Sequence, residues 1–169
     1  MTEYAAQGKV LTDRMLAPWR ARLRQQGKNL VVTNGCFDLL HAGHVHYLEQ
    51  ARNLGDALLI GLNGDESVRL LKGAGRPINT EADRAIVLAG LGCVDAVCVF
   101  PEKRADRFLR TAQPDQYVKG GDYTVRSLDP DERRAVEAHG GQIVILSFVP
   151  GQSTSATIQR IERLNGGTD

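Results

Sequence analysis

The chain has 169 residues, of which 42% are hydrophobic and 24% are charged, and its formal net charge is +1. This length suits one domain that buries a core, so we predict a single domain over residues 1–169. The near balance of charges argues against a protein that binds nucleic acid, because such a protein needs a basic face. The N-terminus has no apolar signal segment, and no apolar run approaches the ~20 residues that span a membrane.

The cysteines Cys36, Cys93 and Cys98 are scattered along the chain and form no C-x-x-C pair. An odd number of scattered cysteines is typical of reduced thiols, so we expect a cytoplasmic protein.

The first predicted element is a helix within residues 1–27, which we assign to an N-terminal helical extension. Pro18 is placed near its first turn and Gly27 after its end. Trp19 and Leu23 form its apolar stripe, and the arginines between positions 20 and 24 are interpreted as a solvent-facing surface.

Five apolar runs follow and predict buried strands; they cover residues 30–33, 57–62, 96–100, 116–118 and 143–146. Helical patterns lie between and after them, at residues 45–54, from 80 onwards, at 103–111, 130–139 and 153–164. The alternation predicts an α/β fold, a Rossmann-like five-stranded parallel sheet with helices on both faces. Ligands of such sheets bind at the carboxyl ends of the strands. Those ends carry the loops TNGCFDLLHAGH, NGDES, KGGDYT and VPGQSTS.

The stretch TNGCFDLLHAGH, residues 33–44, places two histidines where a strand passes into a helix. His41 and His44 can share one side of the helix start, and Gly43 allows a ligand to approach closely. A helix N-terminus binds phosphate, and two imidazoles add donors for charge that develops on phosphate oxygens. Two alternatives are a purely structural role and a metal site that includes His46. The metal site is geometrically awkward, because positions 44 and 46 point to different helix faces.

The chain has neither a Walker P-loop nor a G-x-G-x-x-G turn. Instead, "HAGH" resembles the H-x-G-H signature of the nucleotidyltransferase superfamily, and "GQSTSATIQR" resembles its second signature. With "RLLKGAGRPIN", "ADRAIVLAGLGCVDAV" and "YVKGGDYT", the chain is most similar to the adenylyltransferase domain of ADP-heptose synthase. The resemblance covers residues 28–164, the predicted catalytic core. That domain is often fused to a sugar kinase, and none precedes it here, so we expect separate enzymes to supply the sugar phosphate.

The resemblance implies a reaction in which ATP, accompanied by Mg²⁺, donates AMP to D-glycero-D-manno-heptose 1-phosphate. The products are ADP-heptose and pyrophosphate, formed by in-line attack on the α-phosphorus, and no dedicated protein site for the metal is visible. The residues expected to be catalytic are His41, His44 and Lys72, the last in a mobile glycine loop. Those expected to bind the nucleotide are Thr33, Asn34, Gly35, Cys36, Phe37, Gly43, Gly120, Asp122, Ser153, Thr154 and Ser155. Those expected to bind the acceptor are Asp38, Asn63, Asp65, Arg76 and Lys119.

Several alternatives stay open at this point. Asp38 and the Ser/Thr segment at 153–155 could each only cap a helix, and residues 33–35 could be a mere tight turn. The enzyme could be a cytidylyltransferase that acts on glycerol phosphate, or a nucleotide sensor that has lost turnover. We expect no nucleic-acid or membrane partner, and we expect a homodimer.

Overall fold

The computed structural model describes residues 5–121, 124, 127–147 and 154–165, without the side chains of residues 162 and 165. Within these residues the centre of the fold is a parallel sheet of six strands, in the order β1-β4-β3-β2-β5-β6. The strands are β1 (Val10–Leu11), β2 (Leu30–Gly35), β3 (Ala57–Asn63), β4 (Ala96–Phe100), β5 (Gln116–Gly120) and β6 (Gln142–Leu146).

Helices cover both faces of the sheet, as predicted. They are α1 (Asp13–Gln25), α2 (Ala42–Arg52), α3 (Asp65–Lys72), α4 (Glu81–Ala89), α5 (Asp106–Ala112), α6 (Pro130–Glu137) and α7 (Thr154–Asn165), preceded by a 3₁₀ turn at Gln7–Lys9. Helices α1, α5 and α6 pack on one face, and α2 and α4 pack on the other. Successive side chains of a strand point to opposite faces, so Val31 joins the α2 side while Val32 joins the α5 side.

The number of strands predicted from the sequence, five, is wrong. The additional strand β1 has two residues and runs parallel to β4, with Val10 opposite Val97 and Leu11 opposite Cys98. So short a strand has no alternation of apolar and polar residues to detect. Leu16 of α1 is also fully buried, so residues 10–25 share the sheet and core of the segment that follows.

Helix α1 departs from its prediction in two ways. Pro18 lies in its second turn rather than its first. Arg20 is buried instead of facing solvent, because its Nη2 lies 2.9 Å from a carboxylate oxygen of Asp115 and its Nε donates to the carbonyl of Gln113. Gly27 follows the helix with a positive φ of 67°, which confirms the predicted helix end.

The loop after β3 was predicted to contain NGDES, but a helix begins there. Gly64 precedes α3, and Asp65 is its first residue, so Lys72 is the last residue of a helix and not part of a loop. Residues 33–35 belong to β2, which excludes the alternative of a tight turn. Thr80 caps α4 as predicted, because its hydroxyl accepts a hydrogen bond from the backbone N–H of Asp83 at 3.2 Å.

The direction of winding reverses between β2 and β5, which are neighbours in the sheet. Strands β3 and β4 follow on one side of β2, and β5 and β6 lie on the other. A crevice opens at the carboxyl ends of strands at such a point. The fold therefore places the segment after β2, which carries both histidines, beside the end of β5.

Candidate active site

A cavity of about 840 Å³ lies at the carboxyl edge of the sheet, at the reversal point between β2 and β5. It draws on both faces of the sheet and on the starts of α2 and α7. Most residues predicted to form the site line it, namely Asn34, Gly35, Cys36, Phe37, Asp38, His41, His44, Asn63, Lys72, Arg76, Lys119, Gly120, Thr154 and Ser155.

Three predicted site residues do not line this cavity. Thr33 is fully buried, and its hydroxyl lies 2.7 Å from the Tyr47 hydroxyl. Gly43 is buried within the first turn of α2. Asp65 accepts a hydrogen bond from Arg84 Nη2 at 2.7 Å and is therefore used in a structural ion pair. Two further predictions, Asp122 and Ser153, lie outside the described residues.

The two histidines sit together at the start of α2. His41 is the residue before the helix, and its backbone N–H donates to Nδ1 of His44 at 3.3 Å. Their rings stack with centroids 3.9 Å apart. Because Nδ1 of His44 accepts a hydrogen bond, the neutral ring carries its proton on Nε2. His41 Nδ1 is buried and has no hydrogen-bond partner among the described residues.

Burial, together with the neighbouring His41, lowers the pKa of His44 to about 4 from its ordinary value of 6.5. Desolvation disfavours the charged form of a histidine. At neutral pH His44 is therefore an uncharged N–H donor. It can donate a hydrogen bond to a phosphate oxygen that gains charge, and it does not have to be protonated first.

We expect the His44 ring to titrate near pH 4 in the ligand-free protein. Because the folded pKa lies below the unfolded value, the stability that the neutral ring contributes is fully present above about pH 6.5. It is lost as the pH falls through about 4. NMR titration of the imidazole protons measures this, with the signal assigned by its absence from the His44→Ala variant. A midpoint near 6.5 would contradict the account.

The start of α7 meets the loop that precedes the histidines. Thr154 Oγ1 donates to the backbone carbonyl of Leu39 at 3.1 Å, and Thr154 and Ser155 both line the cavity. Two helix N-termini therefore open into the same space, each with the partial positive charge of a helix start. An anion bound there would meet both of them.

We expect Thr154→Val to weaken the attachment of α7. The change removes the hydroxyl that holds Leu39 and keeps the side chain's shape, so the free energy of unfolding should fall by about 0.5–1.5 kcal/mol. KM for the nucleotide should rise, because the helix N-terminus loses its fixed position. Thermal melting and steady-state kinetics measure both effects, with the exposed Gln159→Ala of the same helix as control. An unchanged KM would mean that Thr154 only attaches α7 to the loop at Leu39 and does not support nucleotide binding.

Asp38 holds a loop rather than a helix end. Its buried carboxylate accepts hydrogen bonds from Arg76 Nε at 2.5 Å and from the backbone N–H groups of Ile78 and Asn79 at 2.7 and 3.2 Å. Asp38 therefore does not cap a helix, which was one of the alternatives predicted from the sequence. Both carboxylate oxygens are bonded, and one of them pairs with Nε of Arg76, so the two residues help to fix the cavity wall.

Arg84 is a buried residue of the site's framework that the sequence analysis missed. Its Nη1 donates to the carbonyls of Cys36 and Asn63 at 2.6 and 2.9 Å, and its Nε donates to the carbonyl of Asn79 at 3.0 Å. Together with the ion pair to Asp65, these bonds join the ends of β2 and β3 to α3 and α4. A charged residue beside the apolar stripe of α4 was the signal that could have revealed it.

Basic side chains line the outer part of the cavity. Lys72 and Lys103 are exposed, and neither makes an ion pair or hydrogen bond with any described residue. Arg104, by contrast, pairs with Asp129 at 3.1 Å. Lys72 was predicted, whereas Lys103 and Arg104 follow β4, whose loop was not assigned to the site. Further lining residues that were not predicted are Tyr47, Leu71, Ser127, Leu128, Asp129 and Glu132.

The described residues offer no ready metal site. No group of three or more His, Cys, Asp or Glu side chains among them could hold a metal ion. His46 lies outside the cavity, 59% exposed and 3.9 Å from Glu49, so the structure does not support the three-histidine alternative. Nor does any helix in the described part of the chain have the length and apolar character needed to cross a bilayer.

A family model described as cytidylyltransferase-like matches residues 32–158. This span includes the two histidines, the whole of β2 to β6 apart from the first two residues, and the start of α7. The chain belongs to the cytidylyltransferase-like family and is a nucleotidyltransferase.

Two curated relatives, each named bifunctional protein HldE, are similar to the chain. The protein of Geotalea uraniireducens is 52% identical over 138 residues, 82% of this chain and 28% of that protein. That of Alkalilimnicola ehrlichii is 52% identical over 153 residues, 90% of this chain and 32% of that protein. The chain thus spans less than two thirds of either relative.

A solved structure, the lipopolysaccharide core biosynthesis protein from Thermoplasma volcanium, has a TM-score of 0.60 and 27% identity. It covers 75% of this chain and 100% of its own.

Proposed function

We propose that the protein transfers AMP from ATP to D-glycero-D-manno-heptose 1-phosphate and releases pyrophosphate. The observation that carries the transfer chemistry is the convergence of two helix N-termini and two histidines on one cavity. The choice of a heptose phosphate rests on the resemblance of "RLLKGAGRPIN" and "YVKGGDYT" to the adenylyltransferase domain of ADP-heptose synthase. The 52% identity to two HldE proteins supports it.

In this reaction an oxygen of the sugar phosphate attacks the α-phosphorus of ATP in line. The bond from that phosphorus to the bridging oxygen breaks, and pyrophosphate leaves with the electron pair. His44 Nε2–H and the helix N-termini stabilise the charge that builds up on the phosphate oxygens, and Lys72 and Lys103 neutralise the leaving group. Cys36 lines the cavity, but burial raises its pKa, so the thiol stays protonated and is a poor nucleophile.

We propose that Mg²⁺ would enter with ATP and would supply positive charge at its phosphates. The carboxylates of the cavity are already engaged: Asp38 by Arg76, Asp129 by Arg104, and Glu132 by the backbone N–H of Ala105. The described residues therefore do not form a fitting protein site for the ion. A cytoplasmic location is part of the same proposal, supported by three free cysteines, and the homodimer stays a prediction.

A cytidylyltransferase acting on glycerol phosphate is the second candidate. The observation that favours it is the match to a cytidylyltransferase-like family model.

Pyrophosphate release with each of four nucleoside triphosphates and a panel of acceptors tests the proposal. The panel contains heptose 1-phosphates, other sugar 1-phosphates and glycerol phosphate. We expect the highest kcat/KM with ATP and heptose 1-phosphate. Faster release from CTP and glycerol phosphate would establish the second candidate. Nucleotide binding without release from any pair would indicate a sensor instead of an enzyme.

A further inference from the structure

A network of buried and partly buried polar side chains forms the floor of the cavity on the α5 side of the sheet. Asn34 Oδ1 lies 2.7 Å from Lys119 Nζ and 2.7 Å from the Tyr117 hydroxyl. Glu132 Oε2 lies 3.5 Å from Lys119 Nζ and 2.9 Å from the Tyr117 hydroxyl, whose single proton goes either to this oxygen or to Asn34 Oδ1. Its other oxygen accepts the backbone N–H of Ala105 at 3.0 Å. The network joins β2, β5, α6 and the start of α5.

This network fixes the orientation of the Asn34 amide. An ammonium group has donors only, so the atom of Asn34 that faces Lys119 must be the oxygen. Turning the amide over would bring two donors, Nδ2 and Nζ, to 2.7 Å from each other. Glu132 pairs with Lys119, the donor that faces the oxygen, and also lies within hydrogen-bond distance of the Tyr117 hydroxyl. Burial lowers the pKa of Lys119, and Glu132 opposes that shift and favours the charged donor.

Because the oxygen of the Asn34 amide faces Lys119, its Nδ2 group can bind a ligand. Asn34 lines the cavity, its Nδ2 donates to no residue that the structure describes, and this atom is not among the buried unpaired ones. Asn63 provides the contrast within the same cavity. Its Nδ2 donates to Ser67 Oγ at 2.9 Å and is therefore already used.

We propose that Asn34 binds substrate through Nδ2, which donates to a substrate oxygen, and that Lys119, Tyr117 and Glu132 are positioning residues for this donor. The proposal rests on the proposed function for the identity of the substrate. The oxygen belongs either to a phosphate of the nucleotide or to the sugar phosphate, since both present acceptor oxygens. The role depends on the side-chain nitrogen of Asn34 and not on the backbone of β2.

NMR of the side-chain amide groups tests the proposal directly. We expect the Asn34 Nδ2 protons, assigned by their absence from Asn34→Asp, to shift on saturation with one of two probes. One probe is α,β-methylene ATP with Mg²⁺ and the other is heptose 1-phosphate, so the probe that causes the shift identifies the oxygen's source. The Asn63 amide is the internal control and should move less. Saturation by both probes without a shift of the Asn34 amide would overturn the proposal.

Two variants test whether the Asn34 side chain donates a hydrogen bond to substrate or only accepts hydrogen bonds within the network. Asn34→Asp keeps an oxygen for Lys119 and Tyr117 but removes the N–H donor, whereas Asn34→Ala removes both. We expect both to lower kcat/KM by roughly 10–100-fold, the loss of one hydrogen bond to a charged group, with the melting temperature of the Asp variant preserved. Near wild-type kinetics in Asn34→Asp, with loss in Asn34→Ala, would show that the residue only supports Lys119.

Failure of this inference and failure of the proposed function give different results. If the wild-type protein releases no pyrophosphate from ATP and heptose 1-phosphate, the proposed function fails. The amide shift on binding of either probe still decides the role of Asn34. If the wild type is active and the Asn34 amide does not respond, only the further inference fails.

Discussion

Replacing His44 with alanine is expected to lower kcat by roughly 10²–10³, the usual loss for one donor that stabilises a transition state. The physical reason is the position of this ring. Its Nδ1 is held by the backbone N–H of His41, so its Nε2–H is fixed as a donor at the start of α2. Its low pKa keeps the ring uncharged at neutral pH. His41→Ala should act similarly, because its ring stacks on that of His44.

The melting temperature should change little in His44→Ala beyond the loss of one helix-cap contact, about 1 kcal/mol. His46→Ala is the matched control, since this side chain is exposed and lies outside the cavity. It should keep both kcat and melting temperature. Steady-state pyrophosphate release and thermal melting of the three variants provide the measurement. Full activity in His44→Ala, or global unfolding, would remove the catalytic assignment.

Replacing Arg84 with alanine is expected to lower the free energy of unfolding by about 3–5 kcal/mol, as for the loss of one partner of a buried ion pair. The variant would leave the carboxylate of Asp65 unpaired, and three backbone carbonyls would lose their donor. For a chain of this size the melting temperature should fall by about 6–20 °C. Activity should fall as well, because Arg84 ties the backbone of Cys36 to that of Asn63.

Urea unfolding measures this prediction. Arg69→Ala is the matched control on α3, because its side chain is half exposed and, among the described residues, pairs only with the exposed Glu66. Its effect should stay within about 0.5 kcal/mol. A loss below about 1 kcal/mol in Arg84→Ala would mean that these buried bonds are compensated by other contacts.

The sequence predicted most of the sheet, because buried parallel strands are nearly continuous apolar runs. The strand over residues 96–100 has the predicted bounds, and the other four were found with ends shifted by one or two residues. The position of the site was also predictable. Ligand sites in such sheets lie at the carboxyl ends of the strands, and the unusual residues of the chain cluster in the loops that follow those ends.

The features that the sequence did not reveal depend on partners distant in the chain. Arg20 is buried because Asp115, 95 residues away, neutralises it. Arg84 holds carbonyls from three segments, and the orientation of Asn34 is set by side chains from β5 and α6. A local pattern of hydrophobicity contains no information about such pairs. The short helix α3 was missed because its eight residues follow β3 with only Gly64 between them.

The central claim is that an oxygen of a sugar 1-phosphate attacks the α-phosphorus of ATP. The most direct test uses heptose 1-phosphate with oxygen-18 in its phosphate group and mass spectrometry of the products. We expect ADP-heptose that retains all of the label, and pyrophosphate that carries none. Labelled pyrophosphate, or AMP formed without ADP-heptose, would contradict the central claim.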